Sequence, residues 1–150
     1  MFRGRFEHTM DGKGRVSVPS GFRMELQRRS EKAPILTNDG DHLTLYPADA
    51  WEKKEEELLD LSAMQPDVQD LQRYMVADAY DTPLDAQGRI LVPALLRKEA
   101  ELGSKVLIAG VLERIEIWNP ERFEEKKRLT IRRLPEIQQS VDSHRSPRGA

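Results

Sequence analysis

Residues 11–19 read "DGKGRVSVP" and residues 85–93 read "DAQGRILVP". An acidic residue, two spacers, glycine, arginine, a three-residue apolar-rich run and proline recur with every position shifted by 74, from 11 to 85 and from 19 to 93. A fixed shift over nine positions marks one structural unit present twice. In the first copy Gly12 and Gly14, and in the second Gly88, supply the positive-φ positions of a tight turn. Asp11 and Asp85 accept hydrogen bonds from turn amides two residues on. Val16 and Val18, and Ile90 and Val92, then point inward from a short strand that the proline ends.

Upstream of each turn the chain alternates, with Phe6, His8 and Met10 on one strand face and Tyr80, Thr82 and Leu84 on the matching one. Downstream, Pro19 and Pro93 suit helix starts for "SGFRMELQRR" and "ALLRKEAEL", with Phe22/Leu26 and Leu95/Leu102 as the apolar positions. Hairpins follow around Asn38-Asp39-Gly40-Asp41 and around Leu112-Glu113, so that Leu43/Leu45 correspond to Ile115/Ile117. A helix closes each copy, Pro47 to Leu61 and Pro120 to about Ile131, the second with Asn119 as its expected N-cap. Each unit thus reads strand, turn, strand, helix, hairpin, helix. The organisation expected is a first repeat over 1–62, a linking helix within 63–79 carrying Val68, Leu71, Met75 and Ala79 at helical spacing, a second repeat over 80–134, and a disordered basic tail over 135–150.

A unit this short cannot cover its own apolar face, because an isolated two-stranded hairpin is marginal in water. The two copies are therefore expected to interleave into one pseudo-symmetric α+β fold, a β-barrel-like core flanked by short helices that brings both turns near a common axis. Leftover edge strands favour association between chains.

Composition narrows the function classes. Among the 150 residues there is no cysteine, which excludes disulfides, thiolate metal sites and cysteine nucleophiles. No apolar run approaches the roughly 20 residues that span a bilayer, and "MFRGRFEHTM" has no secretory h-region, so a cytoplasmic protein without membrane contact is expected. The net charge of −2 hides a segregation: residues 1–30 hold seven basic against three acidic groups, residues 31–80 four against twelve, and residues 126–150 seven against two. A fold that gathers the basic ends presents a positive face to an anionic partner.

Little in the chain calls for catalysis. His8, His42 and His144 have no metal-like spacing, "NDGD" lacks the ligand series of a calcium loop, and "DGKGR" lacks the Walker pattern. The acids of "EKKEEELLD" and "ERFEEKK" read as solvated helix faces. No enzyme activity, catalytic residue, metal, cofactor or small-molecule substrate is expected. Two readings of the turns stand side by side. Asp11 with Arg15, and Asp85 with Arg89, brace their own turns as ion pairs worth about 0–1 kcal/mol if exposed. Equally, a braced turn aims arginine and its neighbours Lys13 and Gln87 outward, where a guanidinium fork grips phosphate or the O6/N7 edge of guanine.

The stretches "MFRGRFEHTMDGKGRVSVPSGFR", "LTLYPADAWE", "LQRYMVADAYDTPLDAQGRILVPALLRKEA" and "VLIAGVLERIEIWNPERFEE" together resemble the MraZ family of bacterial proteins, over residues 1 to about 128. That family carries two repeats of the AbrB/SpoVT type, the looped-hinge or swapped-hairpin DNA-binding fold. The resemblance implies a sequence-specific, nucleoid-associated transcriptional regulator that represses the division and cell wall gene cluster, its own promoter included. It also implies a ring of about eight chains on short guanine-rich direct repeats of double-stranded DNA, spaced by about one helical turn. Carried onto this chain, the motif places Arg15 and Lys13 as first-rank DNA contacts, Arg3 and Arg5 as nearby phosphate contacts, and Arg89 with Gln87 as weaker candidates. Asp11, Gly14, Asp85 and Gly88 shape the turns. The second turn is less positive, since Gln87 stands where the first has Lys13 and Ala86 where it has Gly12. A protein-interaction scaffold or antitoxin-like partner without direct DNA readout is the alternative.

Overall fold

The computed structural model describes residues 1–145 and divides into two compact units, Met1–Pro120 and the segment from Glu121 onward. The first copy supplies β1 (Phe2–Thr9), β2 (Arg15–Ser17), α1 (Ser20–Arg29), β3 (Ile35–Asn38), β4 (Leu43–Tyr46) and α2 (Ala48–Leu59). After α3 (Pro66–Val76), the second supplies β5 (Tyr80–Asp81), β6 (Arg89–Leu91), α4 (Ala94–Glu99), β7 (Lys105–Leu112), β8 (Arg114–Trp118) and α5 (Pro120–Arg132).

Neither copy folds on itself. The six-stranded antiparallel sheet runs β1-β7-β8-β4-β3-β5, so the first strand of each copy pairs with the hairpin of the other. The registers match: Phe6 faces Ile108 just as Tyr80 faces Leu36, and the hairpins meet at Leu43–Ile117, Thr44–Glu116 and Leu45–Ile115. A separate antiparallel ribbon pairs β2 with β6, with Val16 opposite Ile90 at its centre. A local two-fold relation through that pair and through Thr44–Glu116 follows from these registers.

The core lies where the ribbon's inner face meets the sheet. Val16, Val18, Ile90 and Val92 pack with Phe2, Leu36, Leu43, Leu45, Val106, Ile108, Ile115 and Ile117, all nearly inaccessible, and Phe22, Leu26 and Leu96 close over them. Burying side chains of this size contributes about 1.5–3 kcal/mol each. On α4 the structure corrects the expected register: Leu96 is the buried leucine, while Leu95 is 49% exposed and Leu102 packs at the margin. The run "ALLR" offers two adjacent leucines, and the fold buries the second.

The sheet does not close into a barrel. Its edges, β1 and β5, differ in length by six residues, eight against two. Residues 76–79, the counterparts of 2–5 in β1, are taken up by the end of α3 and the turn after it, and Pro83, which cannot donate to a ladder, stands where the first copy has Thr9, so β5 is cut short at both ends. Thr82 still donates its amide to the Pro34 carbonyl at 2.8 Å, after which the pairing stops.

The opposite sheet face is aromatic and charged. Tyr46 and Trp51 pack together with Ile35 and Ala79 against them. Beside them Glu116, buried on β8, accepts from Trp118 Nε1 at 3.0 Å and from Arg114 Nε at 3.0 Å, and lies 3.3 Å from His42 Nε2. The His42 ring stacks on Trp118 with centroids 4.3 Å apart, and its Nδ1 is 2.8 Å from Asp41 Oδ1. Burial alone would raise the Glu116 carboxyl, but the His42 ring 3.3 Å away and the hydrogen bonds from Trp118 and Arg114 outweigh it and hold the group at about 2. Burial likewise disfavours a charged His42, yet Glu116, Asp41 and Asp39 raise its pKa on balance.

In the segment expected to be a disordered tail, residues Leu134–Asp142 form a helix, α6, with Leu134 and Val141 exposed on it. Leu134, Ile137 and Val141 recur at helical spacing, a signal that the polar composition of the stretch masked. The rest of the expected tail, 146–150, lies outside the described residues.

Candidate nucleic-acid interface

The two turns are copies of each other, bond by bond. Asp11 Oδ1 accepts the amides of Lys13 and Arg15, each at 2.9 Å, and its Oδ2 accepts Arg15 Nε at 2.7 Å. Asp85 does the same with the amides of Gln87 and Arg89 and with Arg89 Nε, all at 2.9 Å. The backbone closes each loop as well: Gly14 donates to the Asp11 carbonyl and Gly88 to the Asp85 carbonyl, both at 3.0 Å. Only an ionised carboxylate accepts all these bonds at once. The Arg15 amide, followed by the Arg15 side chain and the Lys13 amide, holds the Asp11 carboxyl at about 2, and the same set around Arg89 lowers Asp85.

Glycine is required at one position of each turn. Gly14 has φ +88° and Gly88 φ +74°, and both are buried. Gly12, expected to share this role, has no positive φ, and a side chain there would meet nothing within 4 Å; the second copy places Ala86 at the same position. A Cβ on Gly14 would stand 2.7 Å from the Val92 carbonyl oxygen and 2.9 Å from Arg97 Nε. Gly14→Ala is therefore expected to lower stability by about 1–3 kcal/mol, and Gly12→Ala to change it by less than about 0.5 kcal/mol. Thermal melts of the two variants side by side check this.

The ribbon turns both arginines the same way. With Val16 and Ile90 facing the core, the pleat puts Arg15 and Ser17 of β2, and Arg89 and Leu91 of β6, on the outward face. Arg15 sits opposite Leu91 and Arg89 opposite Ser17, so the two arginines are diagonal neighbours, about 7–8 Å apart at the backbone. The turns themselves lie at opposite ends of the ribbon: Val92 donates its amide to the Gly14 carbonyl at 2.8 Å, and Val18 donates to the Gly88 carbonyl at 3.0 Å.

Lys13 and Gln87 are exposed at the turn tips. Arg15 and Arg89 are half-buried, each guanidinium Nε held by its aspartate. Arg3 and Arg5 are exposed on β1 but are not brought to the first turn; Arg5 alone is separated from Thr9, the end of its strand, by about 13 Å of extended chain. Arg3 instead lines a cleft of about 610 Å3 with Phe6, His8, Ser17, Pro19 and Arg23.

Arg23 and Arg97, which lie beyond the nonapeptide, complete the site. The signal was available: Arg97 lies 74 residues after Arg23, each four residues past its proline, so the repeated pattern runs on to Asp-x-x-Gly-Arg-x-x-x-Pro-x-x-x-Arg. Arg23 Nη1 donates to the Gln87 carbonyl at 3.4 Å and its side chain covers Gly88, while Arg97 covers Gly14. Among the described residues, no three His, Asp or Glu side chains are placed to hold a metal ion, and no helix is long and apolar enough to cross a membrane.

Fold and site together define a duplicated α+β protein whose interlocked copies present two aspartate-braced arginine turns on one outward ribbon. A family model described as "MraZ protein, putative antitoxin-like" matches residues 1–74 and again 75–133. The chain is 43% identical over 118 residues to the "Transcriptional regulator MraZ" of Syntrophobacter fumaroxidans, covering 79% of each chain. It is 38% identical over 144 residues to the protein of that name from Caldanaerobacter subterraneus, covering 95% of this chain and 98% of the relative. A third, from Thermomicrobium roseum, is 38% identical over 142 residues, covering 94% and 97%. The chain belongs to the MraZ family.

Proposed function

We propose that the protein is a transcriptional regulator that binds double-stranded DNA through the outward face of the β2–β6 ribbon. The observation that carries this is the placement of Arg15 and Arg89 as diagonal neighbours on one exposed face, each oriented by a carboxylate that also holds its turn rigid. A two-stranded ribbon fits the major groove, where a guanidinium reads the O6 and N7 of guanine. Relatives named transcriptional regulators over nearly their whole length support the same reading.

In finer detail, the fold is of the swapped-hairpin DNA-binding class, and the protein acts at the nucleoid as a repressor of the division and cell wall gene cluster, its own promoter included. It assembles as a ring of about eight chains, with ribbons from successive subunits engaging guanine-rich direct repeats. Each contact is weak and several act together. Lys13 and Arg15 lead because the first turn carries the extra cation. Arg89 and Gln87 contribute less, and Arg3 and Arg5 meet phosphates flanking the ribbon. The open β1 edge supports association between chains.

A gel shift with the DNA upstream of the protein's own gene tests this. Log affinity is expected to fall steeply with log salt, by roughly 0.9 per phosphate neutralised. An affinity indifferent to salt contradicts the proposal. The second reading, a protein-interaction or antitoxin-like role, is favoured by α3, which buries none of its residues and exposes Leu71, Tyr74 and Val76. A partner captured from lysate in spite of nuclease and high salt would support it.

A further inference from the structure

Each turn is braced twice, from inside by its own aspartate and from outside by an arginine of the other copy. Arg97, on α4 of the second copy, lies against Gly14 of the first turn, so closely that a Cβ there would stand 2.9 Å from its Nε and 3.0 Å from its Cζ. Arg23, on α1 of the first copy, lies against Gly88 of the second turn and reaches the Gln87 carbonyl. The backbone crosses in the same sense, Val92 to Gly14 and Val18 to Gly88. Both arginines are half-buried, and among the described residues neither has a carboxylate partner. Among the described residues the buried Arg97 Nε has no hydrogen-bond acceptor, so packing on the turn, not an ion pair, is what seats this side chain.

We propose that Arg97 and Arg23 are positioning residues that act across the repeats, Arg97 fixing the turn from Asp11 to Gly14 and Arg23 the turn from Asp85 to Gly88. A guanidinium plane laid over a positive-φ glycine blocks the space into which the turn would open. The conformation that aims Lys13 and Arg15 is then set by the second repeat, and neither turn is fully formed without its counterpart. The crossed bracing stands on geometry alone; its consequence for DNA rests on the function proposed above.

Native-state hydrogen exchange on the whole chain reads the bracing directly. In Arg97→Ala the amides of Gly14 and Arg15 are expected to exchange about ten-fold faster, the equivalent of one net hydrogen bond, with Gly88 and Arg89 unchanged. Arg23→Ala is expected to give the reverse. Acceleration at both turns in either variant, or at the turn of the same repeat, overturns the proposal. With duplex from upstream of the gene, Arg97→Ala is expected to bind more weakly than Arg23→Ala, with the slope of log affinity on log salt unchanged and no rescue by Arg97→Lys. A slope reduced by about one would make Arg97 a phosphate contact and overturn its positioning role. Failure of the wild type to bind duplex would refute the proposed function, and the exchange pattern would still decide the bracing.

Discussion

Arg15→Ala is expected to abolish operator binding while leaving fold and assembly intact. A bidentate arginine to guanine contact is worth about 1–3 kcal/mol of discrimination, and a protein engaging two or more ribbons loses that amount at each, so a deficit of at least about 30-fold follows for two contacts at the low end of that range. The structural cost is small. The Asp11–Arg15 pair is solvent-accessible, with both side chains 37% exposed, and pairs of that kind contribute about 0–1 kcal/mol. Arg89→Ala is expected to have the same sign and a smaller size, because its turn offers Gln87 where the first offers Lys13. Fluorescence anisotropy with a labelled duplex, run beside size-exclusion chromatography, separates the two effects. A variant that elutes as wild type and binds as wild type removes Arg15 from the interface.

The second large effect concerns stability. Glu116→Leu is expected to cost about 1–3 kcal/mol, because it removes the acceptor of the buried Trp118 Nε1 and the carboxylate that lies beside His42. Glu116 also pairs with Thr44 where the two hairpins meet, so the loss falls on the joint between the copies. The pH dependence carries a signature. The raised pKa of His42 means that its contribution is complete below the ordinary value of 6.5 and is lost as pH rises through the folded-state value. Glu116, lowered from 4.5 to about 2, contributes fully above 4.5 and loses its contribution as pH falls towards 2. The wild-type pair is thus most stabilising between about 4.5 and 6.5. In Glu116→Leu the alkaline decline should shrink, since only Asp41 and Asp39 then support the charge on His42. Urea unfolding at fixed protein concentration across pH 4 to 8 measures both. Equal stability at every pH would show the cluster to be inert.

What the sequence made legible was whatever repeats locally. The shift of 74 residues revealed both turns, both inward strand pairs and the order of elements, because a turn's hydrogen bonds close within four residues and leave their requirements in the nonapeptide itself. Features that depend on distant partners were hidden. His42 read as a turn residue, for its stacking on Trp118 and its contact with Glu116 exist only once β4 lies beside β8. Leu95 and Leu96 were indistinguishable until α4 had something to pack against. Pro83 is legible as the end of a strand, but that β5 is an edge strand, and that α3 takes up the residues before it, emerges only from the assembled order of elements. Arg23 and Arg97 are a different case: the repeat extends to them, four residues past each proline, but their contacts are with the other copy and leave no local requirement beside them.

The central claim, that the ribbon reads guanine from the major groove, is tested most directly by methylation protection of guanine N7 on duplex from upstream of the gene. Protected guanines are expected in each direct repeat, recurring at about 10–10.5 base pairs and lost in Arg15→Ala. Binding that leaves every N7 open to methylation would contradict it.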